Sequence, residues 1–129
     1  MELGAARAVA VGAVAGAGLR WGLGEWVDGG STWPWAVFIA NVAGCLLLGL
    51  LVGGFRSLLH TDALIGWAIG FCGSLTTFSA FALDLARFLR DDRWGWFAAY
   101  LSVSVVLGLV AFVGGRAAGR ELRIQGRLP

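Results

Sequence analysis

The chain has 129 residues, of which 58% are hydrophobic and 14% charged, with a mean hydropathy of +0.77, 21 glycines and a net charge of +2. Soluble domains carry roughly 25% charged residues, and one of this size could not hide so much apolar surface, so the composition excludes an ordinary soluble fold and makes lipid the expected solvent. All ten basic residues are arginines, and so small a net charge offers no footprint for nucleic acid.

The first predicted span covers about 3–26. Arg7 and Arg20 interrupt it, leaving an uncharged run of 12 residues from Ala8 to Leu19, so the span must hold Arg20 within or just below the membrane. Ala8, Gly12 and Gly16 repeat at four-residue spacing, the pattern that lets two helices approach closely. A signal peptide is the rival reading, but there is no small-x-small cleavage site followed by a soluble domain, and three more spans follow.

The second span, 33–55, is a run of 23 uncharged residues. Ser31 or Thr32 is expected to cap it, with Pro34 in the first turn and Trp33 and Trp35 at the membrane interface. Gly49 and Gly53 repeat the close-packing spacing, as do Gly66 and Gly70 in the third span, 63–90, whose uncharged stretch Ala63–Leu83 has 21 residues. The fourth span, 94–118, opens beside Trp94 and Trp96. It holds 22 uncharged residues to Gly115 and leaves a polar tail at 119–129, with Arg120, Glu121, Arg123 and Arg127. The connections are short and no strand signal is present. The expectation is therefore all-α: one integral membrane four-helix bundle over 1–129.

Orientation is weakly encoded. Four spans put Arg7, Arg56, Arg116, Arg120, Arg123 and Arg127 on one side and Arg20, Arg87, Arg90 and Arg93 on the other. Most of the first group sits at the C-terminus, where it orients the early helices little. Insertion in one direction and insertion both ways with antiparallel pairing both remain open.

The third span carries the candidate chemistry. The run Gly70-Phe71-Cys72-Gly73-Ser74-Leu75-Thr76-Thr77-Phe78-Ser79-Ala80-Phe81 interrupts the apolar helix with two glycines and four hydroxyls. One reading is a helix broken at membrane depth, its exposed carbonyl and N–H ends able to bind ions. The other is an unbroken helix whose hydroxyls bond back to i−4 carbonyls. Phe78 and Phe81 lie near one face, either as packing or with positive ring edges turned to an anion. Asn41, in mid-span, is either glue between helices or a pore donor. Arg20 either snorkels to the interface or attracts anions. Tyr100 and Ser104, at i and i+4, read as bundle glue or as part of a polar path. Cys45 and Cys72 are apolar fillers rather than a disulfide or metal site. His60 stands alone in a loop without catalytic partners, so no enzyme is expected.

These residues resemble the Fluc-type (CrcB) fluoride channel family, through Asn41-Val42-Ala43-Gly44, through Gly73-Ser74-Leu75-Thr76-Thr77-Phe78-Ser79-Ala80-Phe81 and through the small-residue first span ending in Arg20-Trp21. The resemblance implies a third helix broken in mid-membrane and an antiparallel, dual-topology dimer in the cell membrane that passes toxic fluoride out passively and excludes chloride. It implies a fluoride pathway with Asn41 as pore amide, Phe78 and Phe81 as ring-edge ligands, Thr77 and Ser79 beside them, Arg20 in the vestibule, and Tyr100 and Ser104 on a polar track. It further implies a structural sodium ion, not transported, on the backbone carbonyls of Gly73 and Thr76. The partner is a second copy or a paralogous subunit. The chain departs from the family pattern at Val37, Ala80, Ala82, Asp84 and Gly108, where Thr, hydroxyls, Glu and a further hydroxyl are frequent. The rival function is a proton-coupled small multidrug transporter, which needs a membrane-buried carboxylate that the first span lacks; a non-transporting scaffold subunit would need none of these pore residues.

Overall fold

A computed structural model describes residues 3–27, 29–55 and 61–126, without the side chains of 63 and 65. Arg56, His60 and Arg127 lie outside the described residues. All regular structure among those described is helical, and four helical stretches are long and apolar enough to cross a membrane.

α1 (Leu3–Val27) runs unbroken through Arg20. α2 (Trp35–Gly54) starts one residue after Pro34, whose carbonyl accepts from the Phe38 N–H at 3.0 Å. The hydroxyl cap expected from Ser31 or Thr32 is not made. Pro34 itself occupies the cap position, and Ser31 Oγ instead accepts from the Trp33 N–H at 3.2 Å, tightening the loop ahead of the helix. The third stretch begins with α3 (Asp62–Ile65) and widens into a π-helical segment over Gly66–Phe71. It then continues as α4 (Cys72–Leu75) and, after two residues, α5 (Phe78–Arg90).

The turn after α5 is a Schellman closure. Asp92 takes φ 55°, its N–H donates to Leu89 at 3.2 Å, and the Arg93 N–H reaches back to the Phe88 carbonyl at 2.8 Å. α6 (Trp94–Ile124) follows at once. Its 31 residues span roughly 46 Å at 1.5 Å per residue, more than the hydrocarbon core, so the polar tail continues the helix beyond the apolar span and carries Arg116, Arg120 and Arg123 out of it.

Two close helix pairs build the bundle: α1 against the π-helical segment and α4, and α2 against α6. The small residues decide both. A Cβ on Gly12 or Gly16 would overlap the carbonyls of Gly66 or Phe71, and one on Gly66 or Gly70 would strike the Ala8–Val9 backbone. Likewise Gly49 and Gly53 face the carbonyls of Phe112 and Arg116, while Gly115 and Gly119 face those of Leu46 and Leu50. Backbones can approach this closely only without side chains between them. An aromatic core of Phe81, Phe88 and Tyr100 joins α5 to α6, with Trp33 and Phe38 packed on it. Large apolar side chains elsewhere point outward, as on α6 at Leu109, Val110 and Val113, a surface suited to lipid or a second subunit.

Candidate functional site

The chain leaves helix after Leu75 and re-enters it at Phe78. Thr76 (φ −76°, ψ 151°) and Thr77 (φ −148°, ψ 119°) are both extended. A continuous helix would send the Thr77 N–H to the Gly73 carbonyl and the Phe78 N–H to the Ser74 carbonyl. Two side chains from other helices take over these roles. Asn41 Oδ1 accepts from the Thr77 N–H at 2.7 Å, and Asn41 Nδ2 donates to the Thr77 carbonyl at 3.2 Å, so one amide satisfies both backbone groups of Thr77. From α1, Arg20 Nε donates to the Ser74 carbonyl at 3.1 Å. The Gly73 carbonyl is thereby released from the N–H it would otherwise receive.

The hydroxyls finish the local wiring. Thr76 Oγ1 turns inward and donates to the Cys72 carbonyl at 2.9 Å, alongside the Thr76 N–H at 3.0 Å. Thr77 Oγ1 caps α5 by accepting from the Ala80 N–H at 3.2 Å and lies 3.1 Å from Ser79 Oγ. Unsatisfied backbone groups cost several kcal/mol in hydrocarbon, which explains why so many polar atoms gather on so few residues.

These residues open onto a groove of about 460 Å³ lined by Asn41, Gly73, Thr76, Thr77, Phe78 and Phe81, with Gly44, Cys45, Leu48, Ala68, Ile69 and Cys72 completing it. Thr77 uses one amide hydrogen of Asn41; the other meets no acceptor among the described residues. The Phe78 ring is 80% exposed and Phe81 only 8%, with centroids 6.2 Å apart. Behind Phe81 lies the fully buried Tyr100, ring to ring at 5.2 Å. Ser104, one turn along α6, has a buried Oγ with no hydrogen-bond partner among the described residues. Gly73 is exposed, and a Cβ there would meet nothing within 4 Å.

The groove thus gathers six of the residues singled out from sequence. Arg20 is not in it but lines a separate depression of about 350 Å³ with Trp21, Glu25 and Val37. Ser79 is exposed at the start of α5, and Tyr100 and Ser104 sit behind the rings rather than on the groove wall. A third depression, of about 420 Å³, is lined by Ser31, Thr32, Val37, Ala80, Asp84, Arg87 and Arg93. Three of the departures from the family pattern, Val37, Ala80 and Asp84, therefore meet in one place. Asp84 is 8% exposed and receives Arg87 Nη1 at 3.1 Å.

Two contributors escaped the sequence reading. Trp33, taken there as an interfacial anchor, packs edge-on to Tyr100 at 5.2 Å. The Arg20–Ser74 contact joins residues 54 apart and leaves no local signal. The Gly115–Gly119 pair was readable, at the same spacing as the others.

Residues 7–116 match the sequence profile of the family described as CrcB-like protein, Camphor Resistance (CrcB). The chain is 46% identical over 103 residues to "Fluoride-specific ion channel FluC 2" of Rhodococcus jostii, covering 80% of this chain and 88% of that protein. It is 43% identical over 91 residues to "Fluoride-specific ion channel FluC" of Marinobacter nauticus, covering 68% and 72%. To the protein of that name from Chloroflexus aurantiacus it is 38% identical over 117 residues, covering 88% and 93%.

Proposed function

The chain belongs to the CrcB-like family, and from that premise we propose that it is a fluoride-selective channel through which fluoride leaves the cell passively. It is a multi-pass cell-membrane protein and not an enzyme. The observation that carries the reading is the groove in which Asn41, Phe78 and Phe81 share a wall with the extended Thr76–Thr77 segment.

Fluoride is small and strongly hydrated, so a pore must replace its water with fixed donors. The spare amide hydrogen of Asn41 is one, held in place by the two bonds to Thr77. The positive ring edges of Phe78 and Phe81 are others, weak enough to let the ion go on. Tyr100 and Ser104 continue the polar route behind the rings. Arg20 supplies positive charge near the break.

One chain makes only part of this route, because Phe78 is largely exposed. The working unit is an antiparallel dimer, with a second copy or a paralogous subunit covering the groove. The weak arginine bias supports dual insertion. The small-residue stripes do not bear on it, since both are consumed inside the subunit. Gly73, where a Cβ would meet nothing of its own chain within 4 Å, is the better contact for a partner.

The released Gly73 carbonyl and the carbonyl of the extended Thr76 fit a structural sodium ion. Two such oxygens from each subunit make four hard donors, and Thr76 Oγ1 is already turned to Cys72. That ion would hold the two breaks together and neutralise carbonyl charge beside the anion route. A proton-coupled transporter needs a membrane-buried carboxylate. The one buried acid among the described residues, Asp84, lies on α5 and is paired with Arg87.

The test is efflux from liposomes holding the purified protein, with no proton gradient. Fluoride should leave rapidly while chloride is retained. Equal fluxes of the two halides, or flux only when a proton gradient is imposed, would reject the channel reading.

A further inference from the structure

A second groove, of about 340 Å³, runs along α1 and shares no lining residue with the one at Asn41. Its floor is the seam where Gly12 meets the Gly66 carbonyl, and Val11, Ala15 and Trp67 wall it. Arg7, exposed, stands at the end nearer the N-terminus. It is the only charged side chain on the lining and makes no ion pair among the described residues. Trp67 is half-exposed, its ring set 5.0 Å from that of Phe71. The depth in the membrane follows from the neighbours. Gly4 packs on the carboxylate of Asp62, so α1 and the third stretch start together at the water side. Arg7 and Trp67 come about a turn later, at the headgroup boundary that suits arginine and tryptophan. From Arg7 to Ala15 the groove runs on for roughly 12 Å, at 1.5 Å per residue, without another charge.

We propose that this groove binds one anionic phospholipid per subunit, with its phosphate on Arg7 and an acyl chain along Val11 and Ala15. A cation at headgroup depth followed by an uncharged trough is the complement of such a lipid, which carries its negative charge at one end of a hydrocarbon tail. The Arg7 guanidinium is a planar fork that matches phosphate oxygens, and the Trp67 indole brings a second N–H donor to the same groove. A tail outside the groove already lies in hydrocarbon, so the trough supplies fit, and the preference among headgroups comes from Arg7. The bound chain lies over the Gly12–Gly66 seam and braces α1 against the π-helical segment that leads into the break. The site stands apart from the ion route and does not depend on which ion the chain passes.

The test is native mass spectrometry of the full-length protein in detergent, titrated with palmitoyl-oleoyl phosphatidylglycerol or with phosphatidylcholine of the same chains. Phosphatidylglycerol should bind saturably at one per subunit and about fivefold more tightly, the order expected for one arginine at an anionic headgroup. Arg7→Gln should abolish that preference. Val11→Trp, at a position 72% exposed, should fill the trough and weaken both lipids while the protein keeps its wild-type size on gel filtration. Arg123→Gln, which removes an exposed arginine near the end of α6, should leave binding unchanged. Inorganic phosphate, which has no tail, should not compete. Equal affinity for the two lipids in the wild type would overturn the assignment, as would a preference that survives Arg7→Gln or falls as far in Arg123→Gln. Competition by inorganic phosphate would reduce the site to a bare anion contact and overturn it too. Loss of the wild-type size in Val11→Trp would give the groove to a second copy of the chain instead of a lipid.

Discussion

Replacing Asn41 tests whether the amide holds the break open as well as facing the ion. Its two hydrogen bonds, at 2.7 and 3.2 Å, both go to the backbone of Thr77. Hydrogen bonds between membrane helices are worth about 0.6–1.7 kcal/mol each, so Asn41→Leu should lose roughly 1–3 kcal/mol. That corresponds to a shift of about 5- to 150-fold in the unfolding equilibrium. Asn41→Asp divides the two roles. A carboxylate still accepts from the Thr77 N–H but cannot donate to its carbonyl, and it sets a negative charge in the anion route. Asn41→Asp should therefore retain about half of the stability that Asn41→Leu loses, yet conduct no better. Reversible unfolding in mixed micelles, followed by tryptophan fluorescence, reads the first quantity, and liposome efflux reads the second. If Asn41→Leu were as stable as the wild type, the Asn41–Thr77 pair would not be what supports the extended residues. If Asn41→Asp conducted normally, the amide would not face the ion.

The two rings should separate by burial: Phe78→Ile should cut fluoride efflux at least tenfold with stability unchanged, whereas Phe81→Ile should also lose about 1 kcal/mol in the same unfolding assay, because it sits in the aromatic core. Normal efflux in both variants would return the rings to a packing role. Arg20 bonds the Ser74 carbonyl through Nε, an atom lysine lacks, so Arg20→Lys should destabilise nearly as much as Arg20→Gln despite keeping the charge; full recovery by lysine would make Arg20 an electrostatic residue only. Gly73→Leu has free space around it within the subunit, so the variant should remain helical by circular dichroism but lose the dimer on gel filtration. Sodium-free buffer without a substitute monovalent cation should weaken the wild-type dimer in the same measurement, and an unchanged dimer in both experiments would remove the sodium site and the Gly73 contact together.

Much of the fold was legible because lipid demands long uncharged helices. The run Trp33–Phe55 became α2 almost residue for residue, and Trp94 marked the start of α6. The end of α6 was less legible. Arg116 and Arg120 mark where the apolar span stops, but alanine, arginine, glutamate and leucine are good helix formers and carry the helix to Ile124 outside the hydrocarbon. The start of α2 was misjudged because Ser31 and Thr32 resemble caps, while Pro34 takes that position and leaves the hydroxyls to the loop. In the candidate site, residue types were readable and partners were not. Asn41 at mid-span had to bond something, yet glue and pore donor were equal on sequence. The structure gives it the backbone of Thr77 and leaves one hydrogen over. The glycine stripes announced close contacts without saying whose, and both pairs prove to be internal. Trp33 was read as an interfacial anchor because tryptophan beside proline at a span end usually is one; only the packing of α2 on α6 brings it to Tyr100.

The central claim is that fluoride crosses the membrane through the groove at Asn41, Phe78 and Phe81. Its most direct test is the reversal potential of the purified protein in a planar bilayer, with sodium fluoride on one side, sodium chloride on the other and equal pH. The account predicts a current that reverses at a strongly displaced potential set by fluoride alone, and no such current in the Phe78→Ile variant. Reversal near zero, where the two halides pass alike, would contradict it.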